Sequence, residues 1–288
     1  MVADAAYAAC LRVAQRHYEN FPVASRLMPP ASRPHIAAIY AFARIADDFA
    51  DEGDASEASR LARLDDWRDR LHAAAAGRPD GGDDVEASQV FTALSETIAR
   101  HRLDVSLFDD LLSAFRQDVV TTRYETWERV IDYCRRSANP IGRLVLAVTG
   151  FRDRQLEARS DAVCTALQLT NFWQDLERDW AKGRLYVPLE MVRAAGAHES
   201  DLAARRLTPA WRTALGDAAG RTRRLFLDGR AVADGVTGRL KWELRATWLG
   251  GVRILDRLEA AGFDVFRERP ALGVRDAAAI AGRMLVWR

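Results

Sequence analysis

The 288-residue sequence predicts an all-α protein, and three observations support this fold class. Apolar residues recur at helical spacing, as at Phe108, Leu111, Phe115 and Val119. Stretches rich in β-branched residues with period 2 are missing from the sequence. Breaker residues are sparse, and the clearest loop is the glycine-containing stretch 76–84. We therefore expect roughly ten helices of ordinary length.

Three helical segments define the predicted architecture in chain order. Residues 34–46 are apolar almost all round, which indicates a central helix and not a surface one. Residues 91–98 carry a narrower apolar stripe, as expected for a helix that packs on one face. Residues 162–180 again form a largely apolar helix that ends in polar residues. No shift in composition marks a boundary, so we predict a single domain over residues 1–288.

Composition excludes several classes of function. With 42 basic and 41 acidic residues the net charge is only +1, so no global field favours nucleic acid, and no nucleic-acid partner is expected. Three widely spaced cysteines fit neither a disulfide framework nor a zinc site, which favours a reducing cytoplasm. We see no signal peptide and no apolar run long enough to span a membrane. A cytoplasmic location is predicted, and peripheral contact with the inner face of a membrane is left open.

The first apolar helix runs directly into acidic residues. Asp47 and Asp51 are spaced i, i+4 and so lie on one helical face. Like charges at this spacing destabilise a helix by roughly 0.2 to 0.5 kcal/mol, so a positive group is expected between them. Arg44 projects along the same stripe, where it could bind a phosphate or neutralise the aspartates. Both roles stay open at this point.

The same pattern recurs in residues 162–180. Gln168, Asn171, Asp175 and Asp179 follow steps of three and four residues, which makes one polar stripe on an apolar helix. Carboxylate and amide oxygens without His or Cys suit Mg²⁺ better than zinc or copper. A solvated acidic surface would explain either motif alone, but the apolar lead-ins and the repetition favour two faces that hold Mg²⁺ and a diphosphate.

Basic residues follow the second acidic face. Lys182 and Arg184 lie in the stretch KGRLYVP (182–188) and could clamp a phosphate. For Lys182, a basic residue at a helix exit, favoured by the helix dipole, is an equally good interpretation.

These motifs together resemble those of a known family. YAFARIADDFADE (40–52) and LQLTNFWQDLERDW (167–180) resemble the two aspartate-rich motifs of the squalene and phytoene synthases, all-α head-to-head prenyl transferases. HYENFP (17–22), YCRRSANPIGRLVL (133–146) and GRLYVP (183–188) match that family as well. The resemblance implies a single helical bundle of the isoprenoid synthase type with a central cavity. It also implies Mg²⁺ ions that bridge a prenyl diphosphate to both motifs.

The resemblance assigns roles to individual residues. The implied metal ligands are Asp47, Asp51, Asn171, Asp175 and Asp179. The implied diphosphate-binding residues are Tyr40, Arg44, Gln168, Arg184 and Tyr186. Asp48 and Lys182 are further candidates for substrate binding. Tyr133 would face the reacting carbons, with Phe21 and Phe172 as aromatic lining that stabilises a cation. For each aromatic residue, plain core packing is the alternative.

Within the family, HYENFP and SANPIGR resemble the bacterial hydroxysqualene synthases. This subgroup implies conversion of presqualene diphosphate and water to hydroxysqualene and diphosphate, on the way to squalene and hopanoids. Glu19, Asn20 and Gln174 depart from residues that many relatives carry. Asn139 is the candidate for positioning the water, and the alternative is a polar partner at the kink expected at Pro140.

Three other functions make different demands on these motifs. A condensing enzyme would make presqualene diphosphate, squalene or phytoene from prenyl diphosphates with the same motifs. A non-catalytic relative would serve as an assembly factor and need not keep the full ligand set found here. A ferritin-like bundle would show Glu-x-x-His pairs, which are missing near either motif. Neighbouring squalene-pathway enzymes are candidate partners, and the oligomeric state is left open.

Overall fold

The computed structural model describes residues 2–16, 27–80, 82 and 84–287 and confirms the all-α class. Helices make up 76% of the structure, and the described residues form no β-strand. The helices are α1 (Val2–Arg16), α2 (Arg33–Asp51), α3 (Glu57–Ala75), α4 (Val85–His101), α5 (Ser106–Val120), α6 (Trp127–Ser137), α7 (Asn139–Val148), α8 (Arg154–Gln174), α9 (Leu176–Ala181), α10 (Leu189–Ala194), α11 (Glu199–Ala203), α12 (Pro209–Gly229), α13 (Gly238–Ala260) and α14 (Val274–Leu285). Two 3₁₀ helices span Pro30–Ser32 and Arg230–Asp234.

The described part of the chain thus has more α-helices than the roughly ten expected from typical helix lengths. The excess comes mainly from α9, α10 and α11, which have 6, 6 and 5 residues. A helix this short contains fewer than two turns, so its sequence shows no full apolar period.

The chain divides into two compact units. The first unit comprises Met1–Val120, Pro140–Asp153 and Gly238–Leu240. The second unit comprises Thr121–Asn139, Arg154–Thr237 and Lys241–Arg288. The single domain over residues 1–288 stays a prediction. Among the described helices, none is both long and apolar enough to cross a membrane.

In the first unit, α2 is the central helix that its sequence predicts. It packs against α1, α3, α4 and α5. Phe42 of α2 is fully buried, and its ring contacts those of Trp67 and Phe108 at centroid distances of 5.9 and 5.4 Å. The Trp67 indole also donates a hydrogen bond to the Phe42 carbonyl oxygen at 3.3 Å. This packing fixes α2, and with it the acidic residues at its C-terminal end.

In the second unit, α8 packs along α12 and also contacts α6. Trp173 of α8 is fully buried and donates a hydrogen bond to Thr222 Oγ1 of α12 at 3.0 Å. Gly229 makes the close approach possible, since a Cβ there would lie 2.6 Å from the Arg159 carbonyl oxygen. The polar stripe of α8 is therefore carried by a helix held in place over its whole length.

Candidate active site

Acidic side chains concentrate in the last turns of α2, where the helix dipole disfavours negative charge. The C-terminal end of a helix dipole is negative, and Asp47, Asp48 and Asp51 all lie within the last five residues of α2. Arg44 offsets part of this charge. Its Nη1 lies 3.4 Å from Asp47 Oδ2, its Nη2 lies 2.9 Å from Glu52 Oε1, and it also pairs with Asp48. One arginine thus pairs with three carboxylates, the arrangement that a neutralising role requires, and binding of a phosphate by Arg44 stays a prediction.

Arg44 also has one hydrogen-bond donor that these ion pairs do not use. Its Nε–H is buried and has no hydrogen-bond partner among the described side chains and backbone. A buried donor without a partner costs free energy, so an anionic group at this position would be stabilised. Tyr40 lies one turn earlier, and burial raises the pKa of its phenol above the usual value. Tyr40 therefore stays neutral near pH 7 and can donate a hydrogen bond.

Asp47 carries negative charge that Arg44 does not fully offset. The pKa of its carboxyl is raised to about 7, first by burial and then by repulsion from Asp51, with smaller contributions from Asp118 and Asp48. The side chain keeps 38% of its area exposed, so this carboxyl lies in a recess that water still reaches. A divalent cation would relieve the repulsion. The donor chemistry at this end of α2 therefore fits Mg²⁺.

Asp118 is a member of this acidic group that the sequence analysis missed. It lies on α5 and is buried, with only 6% of its surface exposed. The signal was present in the sequence, because Asp118 follows Leu111 and Phe115 at i+7 and i+3 and so falls on the apolar face of α5. A carboxylate on a buried face needs a partner, and its charge raises the pKa of Asp47.

In the second unit, the predicted polar stripe crosses a break between two helices. Helix α8 ends at Gln174, Asp175 adopts a non-helical conformation, and α9 begins at Leu176. The i to i+4 pattern nevertheless continues, because the Asp175 N–H donates to the Asn171 carbonyl and the Asp179 N–H donates to the Asp175 carbonyl, both at 2.8 Å. Asn171, Asp175 and Asp179 therefore follow one another by single turns, as predicted, and Gln168 lies half-buried one turn earlier on α8.

Asp175 is engaged by an arginine that the sequence analysis did not identify. Arg269 Nε donates to Asp175 Oδ1 at 2.5 Å, and Arg269 Nη2 donates to Asp175 Oδ2 at 3.0 Å. Arg178 lies farther off, with Nη1 3.7 Å from Oδ1. The neighbouring Gln174 amide donates to the Pro270 carbonyl. Because Arg269 is 94 residues away in sequence, no local pattern could have paired it with Asp175.

A tight turn brings the basic residues back toward α9. Gly183 has φ +81°, which favours glycine, and the Arg184 N–H donates to the Asp179 carbonyl at 2.8 Å. Arg123 fixes this turn by donating to the Gly183 carbonyl at 2.6 Å while pairing with Glu199. Arg184 is half-buried beside the predicted metal ligand Asp179, whereas Lys182 is exposed.

Beyond this turn lies a buried aromatic cluster formed by Tyr124, Tyr133, Phe172 and Tyr186. The Phe172 and Tyr186 rings stack with centroids 3.8 Å apart and planes at 2°. Tyr133 lies 6.0 Å from Phe172 and 5.8 Å from Tyr186 between ring centroids. The structure therefore brings together three predicted site residues from distant parts of the sequence. Tyr124 was not predicted and joins them at 5.5 Å from Tyr186.

Asn139 is the first residue of α7, next to Pro140, and is buried. Thr165 Oγ1 of α8 donates a hydrogen bond to Asn139 Oδ1 at 2.9 Å. The predicted role as a polar partner near Pro140 thus has a defined contact. An amide oxygen has two lone pairs, so this contact does not exhaust the capacity of Asn139 to accept a hydrogen bond.

Phe21 and the HYENFP stretch lie outside the described residues. Within the described ranges, no group of three or more His, Cys, Asp or Glu side chains converges closely enough to hold a metal ion. Mg²⁺ usually takes one or two protein carboxylates and completes its shell with water and substrate phosphates.

Comparison with known proteins identifies the family. A model of the squalene/phytoene synthase family matches residues 14–276. The chain belongs to the squalene/phytoene synthase family. Hydroxysqualene synthase from Zymomonas mobilis is 42% identical over 211 residues, 72% of this chain and 67% of that protein. The enzyme of the same name from Rhodopseudomonas palustris is 41% identical over 218 residues, 75% and 70% of the two chains.

A solved structure of the squalene/phytoene synthase family supports the same assignment. The crystal structure of squalene synthase HpnC from Alicyclobacillus acidocaldarius matches with a TM-score of 0.83 and 39% identity, covering 91% of this chain and 95% of that one. The isoprenoid synthase fold predicted from the sequence is thereby confirmed. The resemblance to hydroxysqualene synthases within the family is confirmed by the relatives that bear this name.

Proposed function

We propose that the protein is a hydroxysqualene synthase that converts presqualene diphosphate and water to hydroxysqualene and diphosphate with Mg²⁺. The observation that carries the proposal is the second unit's buried cluster of Tyr133, Phe172 and Tyr186, which adjoins the Asn171 and Asp175 stripe in sequence and fold. Such a site joins a polar end for a leaving diphosphate to an apolar end for a carbocation. The names of relatives with 42 and 41% identity support this choice.

The polar residues are proposed to bind the diphosphate and its Mg²⁺ and so to promote loss of the diphosphate. When bound, Mg²⁺ would stabilise the negative charge that develops on the leaving oxygen. In the first unit the proposed ligands are Asp47 and Asp51. In the second unit they are Asn171, Asp175 and Asp179. The proposed diphosphate donors are the buried Arg44 Nε–H, the neutral Tyr40 phenol, Gln168 and Arg184. Lys182 is exposed, and for it we favour the alternative of a basic residue at the helix exit. Asp48 is proposed to act through Arg44, with which it pairs.

The aromatic residues are proposed to stabilise the carbocation that ionisation leaves behind. Ring faces attract positive charge, and a dry lining prevents early capture by water. Phe172 and Tyr186 stack in parallel, so their inner faces cover each other, and each ring has only its outer face left to present π-density to a cationic carbon. Tyr133 is inclined at 42° and 43° to these rings, which adds a second ring face at the same cluster.

Water capture ends the proposed reaction. A water oxygen forms the new bond to carbon and gives a proton to solvent or to the released diphosphate, so no reductant is consumed. Asn139 is proposed to accept a hydrogen bond from this water. Its Oδ1 is held by Thr165, which would fix its orientation toward the water.

The second candidate function is a condensing synthase that joins prenyl diphosphates. One observation favours it: the solved relative at 39% identity bears the name squalene synthase. The two functions share the motifs for metal and diphosphate and differ in the substrate and in the fate of the cation.

Labelled water separates the two candidates. The purified protein is incubated with Mg²⁺ and presqualene diphosphate in ¹⁸O-water without NADPH, and in parallel with farnesyl diphosphate. The proposal predicts a C30 alcohol that carries one ¹⁸O atom from presqualene diphosphate. An unlabelled product, or a product formed only from farnesyl diphosphate, would assign the protein to the condensing enzymes.

We also propose peripheral contact with the cytoplasmic face of a membrane through α14. Val274, Leu285 and Val286 are each at least 70% exposed. The one acidic residue between positions 270 and 287, Asp276, is buried and paired with two arginines, so the exposed charge of this helix is basic. Exposed apolar residues beside basic ones suit the surface of an anionic bilayer, where an oily product would leave.

A further inference from the structure

Asp175 forms an ion pair with a cationic side chain, Arg269. Arg269 engages both of its carboxylate oxygens, at 2.5 and 3.0 Å, in a two-pronged ion pair. The pair is shielded from water, since 14% of the Asp175 side chain and 29% of the Arg269 side chain are exposed. Such a pair fixes the side-chain rotamer of the carboxylate as well as its charge.

A metal ion and this guanidinium would compete for the same carboxylate. Mg²⁺ binds carboxylate oxygen at about 2.0–2.1 Å. A Mg²⁺ ion on Asp175 would therefore place its double positive charge within a few ångströms of the Arg269 guanidinium. In this partly buried setting their repulsion is poorly screened. The geometry with both oxygens on Arg269 therefore belongs to the metal-free protein.

We propose that Arg269 is a positioning residue that holds Asp175 in place while metal is absent and competes with metal for it. Loading of metal at Asp175 displaces the guanidinium. The inference rests on the proposed function, because it takes Asp175 as a metal ligand.

The backbone around Arg269 indicates which part moves. The Pro270 carbonyl accepts a hydrogen bond from Gln174, and the Ala271 carbonyl accepts one from Arg257 Nη1 at 2.8 Å. Two successive carbonyls after Arg269 are thus fixed to α8 and α13. The displacement is therefore a rotamer change of a long side chain and not the opening of a loop, so it adds no slow step to metal binding.

The test measures Mn²⁺ binding to the apo protein, with Mn²⁺ as the probe because it shares the oxygen preference of Mg²⁺. Arg269→Gln is expected to bind Mn²⁺ about fivefold to tenfold tighter than wild type, since no ion pair must be broken. Arg269→Lys keeps the charge without the two-pronged geometry and should lie in between. Arg267→Gln is the matched control: Arg267 is in the same segment, 88% exposed and paired with Asp264, and its loss should leave Mn²⁺ affinity unchanged.

Thermal unfolding gives a second readout that is independent of activity. Arg269→Gln should be less stable than wild type without metal, and the difference should disappear at saturating Mn²⁺, where neither protein has the ion pair. A purely structural role for Arg269 would leave the same loss of stability with and without metal.

The outcomes separate this inference from the proposed function. If Asp175→Asn loses Mn²⁺ binding but Arg269→Gln binds no more tightly than wild type, the competition is overturned and the metal site stands. If Asp175→Asn binds Mn²⁺ as wild type does, Asp175 is not a ligand and both ideas fail. If Arg269→Gln does not fold, Arg269→Lys decides the question, and an affinity equal to wild type overturns the inference.

Discussion

Phe172 and Tyr186 stack face to face, with ring centroids 3.8 Å apart and planes at 2°. Phe172 lies on α8 between two residues of the polar stripe, and Tyr186 follows the turn that holds Arg184. The stack therefore connects both predicted diphosphate-binding segments of the second unit to its aromatic cluster. A packing pair would serve stability alone, whereas a cation-stabilising pair would also serve the reaction rate.

Phe172→Leu should lower turnover of presqualene diphosphate by roughly thirtyfold. The reason is that a desolvated cation–π contact contributes about 2 kcal/mol, close to a factor of thirty in rate. The control is Phe226→Leu, which removes an equally buried ring from α12 in the same unit. Both variants should lose stability in thermal unfolding, but only Phe172→Leu should lose kcat. Equal kcat in the two folded variants would show that Phe172 is a packing residue.

The pH dependence of stability should report the crowded carboxylates of α2. The folded pKa of Asp47 is about 7, above the ordinary value of 3.8. Protonated Asp47 is thus favoured by folding, and this contribution is present below pH 3.8 and lost as the pH rises through about 7. Asp47→Asn should therefore match wild type near pH 4 and be more stable than wild type at pH 8.

Urea unfolding of the metal-free protein at pH 4, 6 and 8 measures this effect. Asp54→Asn is the control, because Asp54 is exposed just beyond the end of α2. A stability difference between Asp47→Asn and wild type that is constant across the three pH values would contradict the raised pKa.

The two acidic motifs should respond oppositely in stability but alike in activity. Asp175→Asn should destabilise the metal-free protein by about 1–2 kcal/mol, because it breaks the ion pair with Arg269. Asp47→Asn should instead stabilise it at pH 8. Both variants should lose at least about a hundredfold in Mg²⁺-dependent turnover if both carboxylates hold metal. Turnover within tenfold of wild type in either folded variant would remove that residue from the ligand set.

Arg184 should matter for diphosphate where Lys182 does not. Arg184 is half-buried and its backbone is tied to Asp179, whereas Lys182 is exposed. Arg184→Ala should lower kcat by about tenfold to a hundredfold and weaken inhibition by pyrophosphate, because a guanidinium meets charge that grows during ionisation. Lys182→Ala, two residues earlier in the chain, should change both quantities little. Comparable losses in the two variants would mean that the segment contributes only its overall charge.

The sequence predicted those parts of the fold and site that depend on local periodicity. The central position of α2 follows from apolar residues on all sides of the helix, and the stripe of Asn171, Asp175 and Asp179 follows from steps of three and four residues. The break at Asp175 was not predicted, because the i to i+4 pattern continues across it and hides the end of α8.

Contacts between distant segments could not be predicted in this way. Arg269 reaches Asp175 across 94 residues, and Tyr124 joins an aromatic cluster whose other members lie on α6, α8 and a later turn. Asp118 is different, because its position on the apolar face of α5 could have been predicted from the helical spacing of the sequence. A buried charge on an apolar stripe is therefore a signal worth following even without a motif.

Membrane contact through α14 should depend on both its charge and its apolar residues. The protein should sediment with vesicles that contain anionic lipid, bind neutral vesicles more weakly, and lose binding as salt is raised. Leu285→Glu should weaken binding to anionic vesicles by about tenfold or more, because it replaces an exposed apolar side chain with a repelled charge. Val85→Glu is the matched control, an equally exposed apolar residue at the start of α4, where an acidic side chain suits the helix dipole. If both substitutions weaken vesicle binding equally, the effect is one of net charge, and α14 is not the contact surface.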